Sequence, residues 1–77
     1  MAQKVVLYSR NDCVQCKMTK RLLDSLGIAY QEINLDESPQ FREHVTNNLG
    51  FIAAPVVETD TGAWSGFQPG KIKAIKK

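Results

Sequence analysis

Both cysteines of this chain lie in one short run, Cys13-Val14-Gln15-Cys16. Two thiols separated by two residues can hold a metal or exchange disulfides with another molecule. If the run opens a helix, positions 13 and 16 fall on one face and come within bridging distance. They are then unequal. Cys13 meets the free N–H groups and the positive end of the helix dipole, which favour a thiolate and draw its pKa from ~8.5 toward or below 7. Cys16 lies one turn inside, on the apolar stripe, and is expected buried and protonated until it is needed. Lys17 and Arg10 favour the anion at Cys13; Asp12 opposes them unless it turns away to cap the helix. The expected chemistry is attack by Cys13 on a disulfide, followed by release when Cys16 attacks Cys13.

The elements around the motif suit that placement. Lys4-Val5-Val6-Leu7-Tyr8 reads as a central strand buried on both faces. After a polar loop, Cys16, Thr19, Leu23 and Leu26 recur at helical spacing, with Met18 and Leu22 beside them. Gly27 closes that helix as a left-handed cap. Residues 28–35 form a second strand, whose Glu32 places it near a sheet edge. Ser38-Pro39 opens a second helix with Phe41, Val45 and Leu49 on one side, and Gly50 ends it. Pro55-Val56-Val57-Glu58-Thr59 and Ala63-Trp64-Ser65 make a hairpin about Asp60-Thr61-Gly62, and Pro69 starts a last helix with Ile72 and Ile75 inward. The order βαβαββα gives an α/β protein. Its first two strands are parallel, with a right-handed crossover, and helices flank both faces of a four-stranded mixed sheet.

Composition excludes several classes. The 77 residues allow one domain, residues 1–77, with a modest core; hydrophobic content of 43% argues against disorder. A formal net charge of +2 is too weak to indicate nucleic acid or an anionic membrane. The late lysines, Lys71, Lys73, Lys76 and Lys77, read as a solvated helix end. No targeting pattern or membrane span is visible, so a cytoplasmic protein is expected, where a lone Cys-x-x-Cys is catalytic or metal-binding rather than structural. Zinc needs about four ligands, and two cysteines with His44 fall short without a dimer. His44 reads as a polar helix position, Tyr8 as a strand residue near the thiols, Trp64 as core filling or recognition, and Phe67 as a helix-entry anchor or part of the surface.

Tyr8-Ser9-Arg10-Asn11-Asp12-Cys13-Val14-Gln15-Cys16, Ala54-Pro55-Val56-Val57 and Trp64-Ser65-Gly66-Phe67-Gln68-Pro69 together resemble the NrdH-redoxins, glutaredoxin-sized members of the thioredoxin superfamily. The resemblance covers essentially the whole chain and implies a thioredoxin/glutaredoxin-like fold. It implies that Cys13 and Cys16 are the catalytic pair, forming a redox-active disulfide with no bound cofactor and no metal. It makes Pro55 a cis proline facing the cysteines, with the Ala54 backbone open to a partner strand. Val14, Gln15, Lys17, Arg10, Trp64, Ser65, Gly66 and Phe67 then shape the partner surface. The implied partners are thioredoxin reductase, through which NADPH is used indirectly, and the large subunit of class Ib ribonucleotide reductase, served by a monomer. The implied potential falls in the redoxin range, roughly −200 to −270 mV. Glutathione-using relatives carry Cys-Pro-Tyr-Cys, Thr-Val-Pro and Gly-Gly-x-Asp; here the stretches read Cys-Val-Gln-Cys, Ala53-Ala54-Pro55 and Trp64-Ser65-Gly66-Phe67. The alternatives are a glutathione-dependent glutaredoxin and a cluster- or metal-carrying module of the same fold. Asn11 stands where many redoxins have proline, and Gln68 where the family often has arginine.

Overall fold

A computed structural model describes residues 4–50 and 54–75. Residues 1–3, 51–53 and 76–77 lie outside it, and with them Ala53 of the expected turn and two of the late lysines. Strand β1, Val5–Ser9, is buried along its whole length, as its apolar run requires. It occupies an interior place in a four-stranded sheet of order β2-β1-β3-β4. On one side it pairs in parallel with β2, Gln31–Asn34, in the register Ser9↔Asn34. On the other it pairs antiparallel with β3, Val56–Thr59, in the register Tyr8↔Val56. Strand β4, Gly62–Ser65, returns antiparallel to β3 through a turn at Asp60-Thr61. The second strand is shorter than residues 28–35 and stands at the edge that Glu32 indicated.

Helix α1, Val14–Ser25, buries Cys16, Thr19 and Leu23. Its end is a complete Schellman cap. Gly27 adopts φ +69°, its N–H donates to Asp24 O at 3.1 Å, and Ile28 N–H reaches Leu23 O at 3.0 Å. The capped residues join the core, where Leu23 and Ile28 pack with Val5, Leu7, Val57, Trp64 and Ile72. Full burial of a side chain such as Leu23 is worth about 1.5–3 kcal/mol. Ile72 comes from helix α2, Pro69–Lys73, with Ile75 packing beside it, so α1 and α2 share one face of the sheet.

The other face is covered less regularly. The expected second helix is a 3₁₀ turn, Pro39–Phe41, followed by a wide π-type turn, His44–Asn48. Leu49 N–H donates to His44 O at 3.2 Å, a five-residue step. Ser38 stands at the N-cap without a side-chain cap bond. Thr46, Asn47 and Asn48 are weak helix formers, so local preference does little to hold regular geometry here. Packing still selects the anticipated side chains: Val45 is buried against Val6, Tyr8, Leu35 and Val56, with Phe41 and Leu49 beside it. The result is a four-stranded mixed sheet with helical layers on both sides. No helix among the described residues is long and apolar enough to cross a membrane.

Candidate active site

Cys13 stands at the N-cap of α1 in extended conformation, φ −111° and ψ 105°. Its carbonyl accepts Lys17 N–H at 3.2 Å, and its sulfur accepts Cys16 N–H at 3.1 Å. The sulfur therefore occupies the place that a capping oxygen takes in other helices. Unpaired backbone donors and the helix dipole favour negative charge at that position. Cys16, one turn inside, is 2% exposed, while Cys13 is half-buried. The two are joined as a disulfide with Cα atoms 5.2 Å apart, well within bridging geometry.

Three turns converge at this end of the sheet. The registers Tyr8↔Val56 and Val56↔Ser65 align the loop before Cys13 with Ala54-Pro55 and with the turn after β4. The Ala54–Pro55 bond is cis, and Pro55 is fully buried. Pro55 O accepts Gly66 N–H at 2.7 Å, and Gln15 Oε1 accepts Phe67 N–H at 3.2 Å. These two bonds link the cysteine helix and the proline turn through Gly66-Phe67. Gly66 has φ +83°, and a Cβ built there would lie 3.7 Å from Gln15 Oε1. Backbone conformation, rather than lack of space, is what favours glycine at this position.

The other sequence-selected residues divide into surface and support. Val14, 70% exposed, adjoins Cys13, and Met18 is 43% exposed further along α1. Lys17 is exposed in the first turn. The Arg10 guanidinium lies on Asp36, at 3.1 Å. Trp64 is 9% exposed and packs in the core beneath α1 and α2, with Lys71 Nζ 6.0 Å from its ring centroid. Ser65 is half-buried at the end of β4, and its carbonyl accepts Gln68 Nε2 at 2.8 Å.

Tyr8, expected near the thiols, points its side chain to the face opposite α1. Its hydroxyl donates to Glu58 Oε1 at 2.8 Å. Burial, with the Glu58 hydrogen bond and charge added, pushes the phenol up to about 12. His44 Nε2 meets the same oxygen at 3.3 Å, and Asn48 Nδ2 lies 3.1 Å from His44 Nδ1. Sequence reasoning missed this cluster, since its members come from three separate segments. Among the described residues no group of three or more His, Cys, Asp or Glu side chains could hold a metal ion.

Comparison with known proteins places this geometry. The glutaredoxin family model matches residues 5–62. The chain is 50% identical to the glutaredoxin-like protein NrdH of Lactococcus lactis subsp. cremoris over 71 residues, covering 92% of this chain and 97% of that protein. It is 39% identical to the NrdH of Escherichia coli K12 over 72 residues, covering 94% and 88%. The solved structure of the E. coli NrdH-redoxin superposes with a TM-score of 0.90 at 38% identity, covering 96% of each chain. With its cysteine pair at a helix start and a cis proline on the adjoining turn, the chain belongs to the glutaredoxin family, in its NrdH-redoxin branch.

Proposed function

We propose that the protein is a cytoplasmic dithiol electron donor that reduces the large subunit of class Ib ribonucleotide reductase and is itself re-reduced by thioredoxin reductase. The observation that carries this reading is the unequal cysteine pair: Cys13 half-buried at the helix N-cap, Cys16 2% exposed one turn behind. Cys13 as thiolate attacks one sulfur of the partner disulfide, and the other partner sulfur leaves as a thiolate that takes a proton. Cys16 then loses its proton and attacks Cys13 Sγ. The mixed disulfide breaks, the second partner sulfur leaves as a thiolate that takes a proton, and the Cys13–Cys16 disulfide forms, its two electrons having passed to the partner. Pro55 and the Ala54 backbone orient the partner, and Val14, Gln15, Lys17, Arg10, Gly66 and Phe67 shape the surrounding surface, with Trp64 and Ser65 beneath it.

The partner assignment is supported by kinship to NrdH proteins and by the thioredoxin-like activity profile named for the E. coli NrdH-redoxin. The turn 65–68, Ser-Gly-Phe-Gln, also offers no carboxylate to grip the glutathione amine. Membership of the glutaredoxin family keeps glutathione as the competing reductant. A coupled assay separates them. NADPH oxidation sustained with thioredoxin reductase and a protein disulfide, and not with glutathione plus glutathione reductase, is the expected result. Turnover with glutathione alone would move the chain to the glutathione-using group. Restored deoxyribonucleotide-forming turnover in a class Ib reductase, supplied with this protein as its sole dithiol, tests the acceptor.

A further inference from the structure

The loop that delivers the chain to Cys13 is gripped from outside the cysteine motif. Asp36, just past β2, accepts the Asn11 backbone N–H on Oδ2 at 2.8 Å. Its Oδ1 receives Arg10 Nε and Nη2 at 3.2 and 3.1 Å, and Arg42 Nη2 at 2.9 Å. Arg42 Nε also donates to Leu35 O at 3.1 Å. Asn34 completes the joint: Nδ2 donates to Asn11 Oδ1 at 3.0 Å, and Oδ1 receives Asp36 N–H at 2.8 Å and Glu37 N–H at 3.1 Å. Leu35 N–H donates to Ser9 O at 2.7 Å. Asp12, directly before Cys13, holds φ +55°, a left-handed conformation uncommon for non-glycine residues and most accessible to Asn and Asp among them. The Asn11 hydrogen bond, followed by the Arg10 and Arg42 charges, holds the Asp36 carboxyl below the usual carboxylate range, so it is an anion at neutral pH.

We propose that Asp36 is a positioning residue for Cys13. It fixes the sulfur at the helix start through Asn11 and occupies Arg10, so that this cation is withheld from the thiolate. The proposal rests on the reading of Cys13 as attacking thiol. The remaining charges flanking the sulfur in sequence are Asp12 and Lys17, and the Ala54-Pro55 and Gly66-Phe67 turns add none.

Two readouts test it. In a Cys16→Ser background, the rate of Cys13 alkylation by iodoacetamide is followed against pH. Asp36→Asn keeps an oxygen for Asn11 but frees Arg10 and removes an anion. The midpoint of the profile should fall by on the order of 0.3 pH unit. In the two-cysteine protein, Asp36→Ala also releases the loop, and closure of the Cys13–Cys16 disulfide against dithiothreitol should weaken about tenfold. Asp60→Asn is the control, a surface carboxylate that accepts Lys4 N–H at 3.2 Å on the β3–β4 turn. Coincident profiles for Asp36→Asn and Asp60→Asn overturn the proposal, as does Asp36→Ala closing its disulfide as readily as the parent. If Asp36→Ala does not fold, the Asp36→Asn profile decides alone. The site reading fails separately, if the unsubstituted reduced protein alkylates first at Cys16.

Discussion

The two faces of the sheet are built to different standards. On one, α1 is regular, capped by sulfur at its start and by Gly27 at its end, and packed on a continuous apolar cluster. On the other, a 3₁₀ turn at residues 39–41 and a π-type turn at residues 44–48 stand in place of a regular helix, and a polar group of Tyr8, Glu58, His44 and Asn48 shares the layer with Val45. The orderly face presents the thiols. The irregular face completes the burial of β1 and carries no cysteine. Precision is concentrated where a sulfur accepts a backbone N–H at 3.1 Å, and relaxed where shape alone suffices.

The contrast is broken most severely at the sulfur. Cys13→Ser should abolish reduction of insulin disulfides, and Cys16→Ser should accumulate mixed disulfides, while His44→Ala should keep most of the exchange rate. A His44 variant as inactive as Cys13→Ser would erase the functional distinction between the faces. Packing comes next. Leu23→Ala should lower unfolding free energy by about 2–5 kcal/mol in urea titrations. Val45→Ala should lower it by about 1.5–2 kcal/mol, from two lost methyl groups. Equal losses per carbon removed, three at Leu23 and two at Val45, would mean that both faces are packed alike. The caps give a smaller contrast. Gly27→Ala forces φ +69° on a side chain and should cost about 1 kcal/mol, whereas Ser38→Ala, with no side-chain cap bond to lose, should stay within about 0.5 kcal/mol.

A further contrast appears only in alkali. Tyr8 ionises near 10.0 when unfolded and at about 12 when folded. Between those values the unfolded chain sheds a proton that the folded chain keeps. The stabilisation is whole below pH 10 and drains away as pH rises toward 12. Tyr8→Phe should remove that slope from the urea midpoint measured against pH; a slope that persists unchanged assigns it to other groups.

Legibility in the sequence follows the range of the forces involved. The α1 stripe, apart from Met18, which the structure leaves exposed, the Gly27 stop, the buried β1 and the β3–β4 turn are written in local periodicity and turn chemistry, and the structure reproduces them with shifts of a residue or two at the ends. The unequal depth of Cys13 and Cys16 follows from one helical turn. The cis bond before Pro55 was readable through family resemblance alone, because trans is the ordinary state of such bonds. The Phe41–Val45–Leu49 face was legible, but the hydrogen-bond pattern beneath it was not, since Thr46-Asn47-Asn48 prefers no single helical form strongly. Asp36 and Tyr8 were hidden for another reason. The parallel register Ser9↔Asn34 makes residues 10–11 neighbours of residues 35–36, and Tyr8 and Glu58 are 50 residues apart. Such partners exist only after strands choose each other.

Trp64, the chain's single tryptophan, is 9% exposed, and its indole nitrogen has no hydrogen-bond partner among the described residues. An indole kept this dry emits at short wavelength, and water reaching it on denaturation will move that emission to the red. The protein thus contains its own fluorescent gauge of whether the layer beneath the cysteine helix is intact, with no dye or label attached.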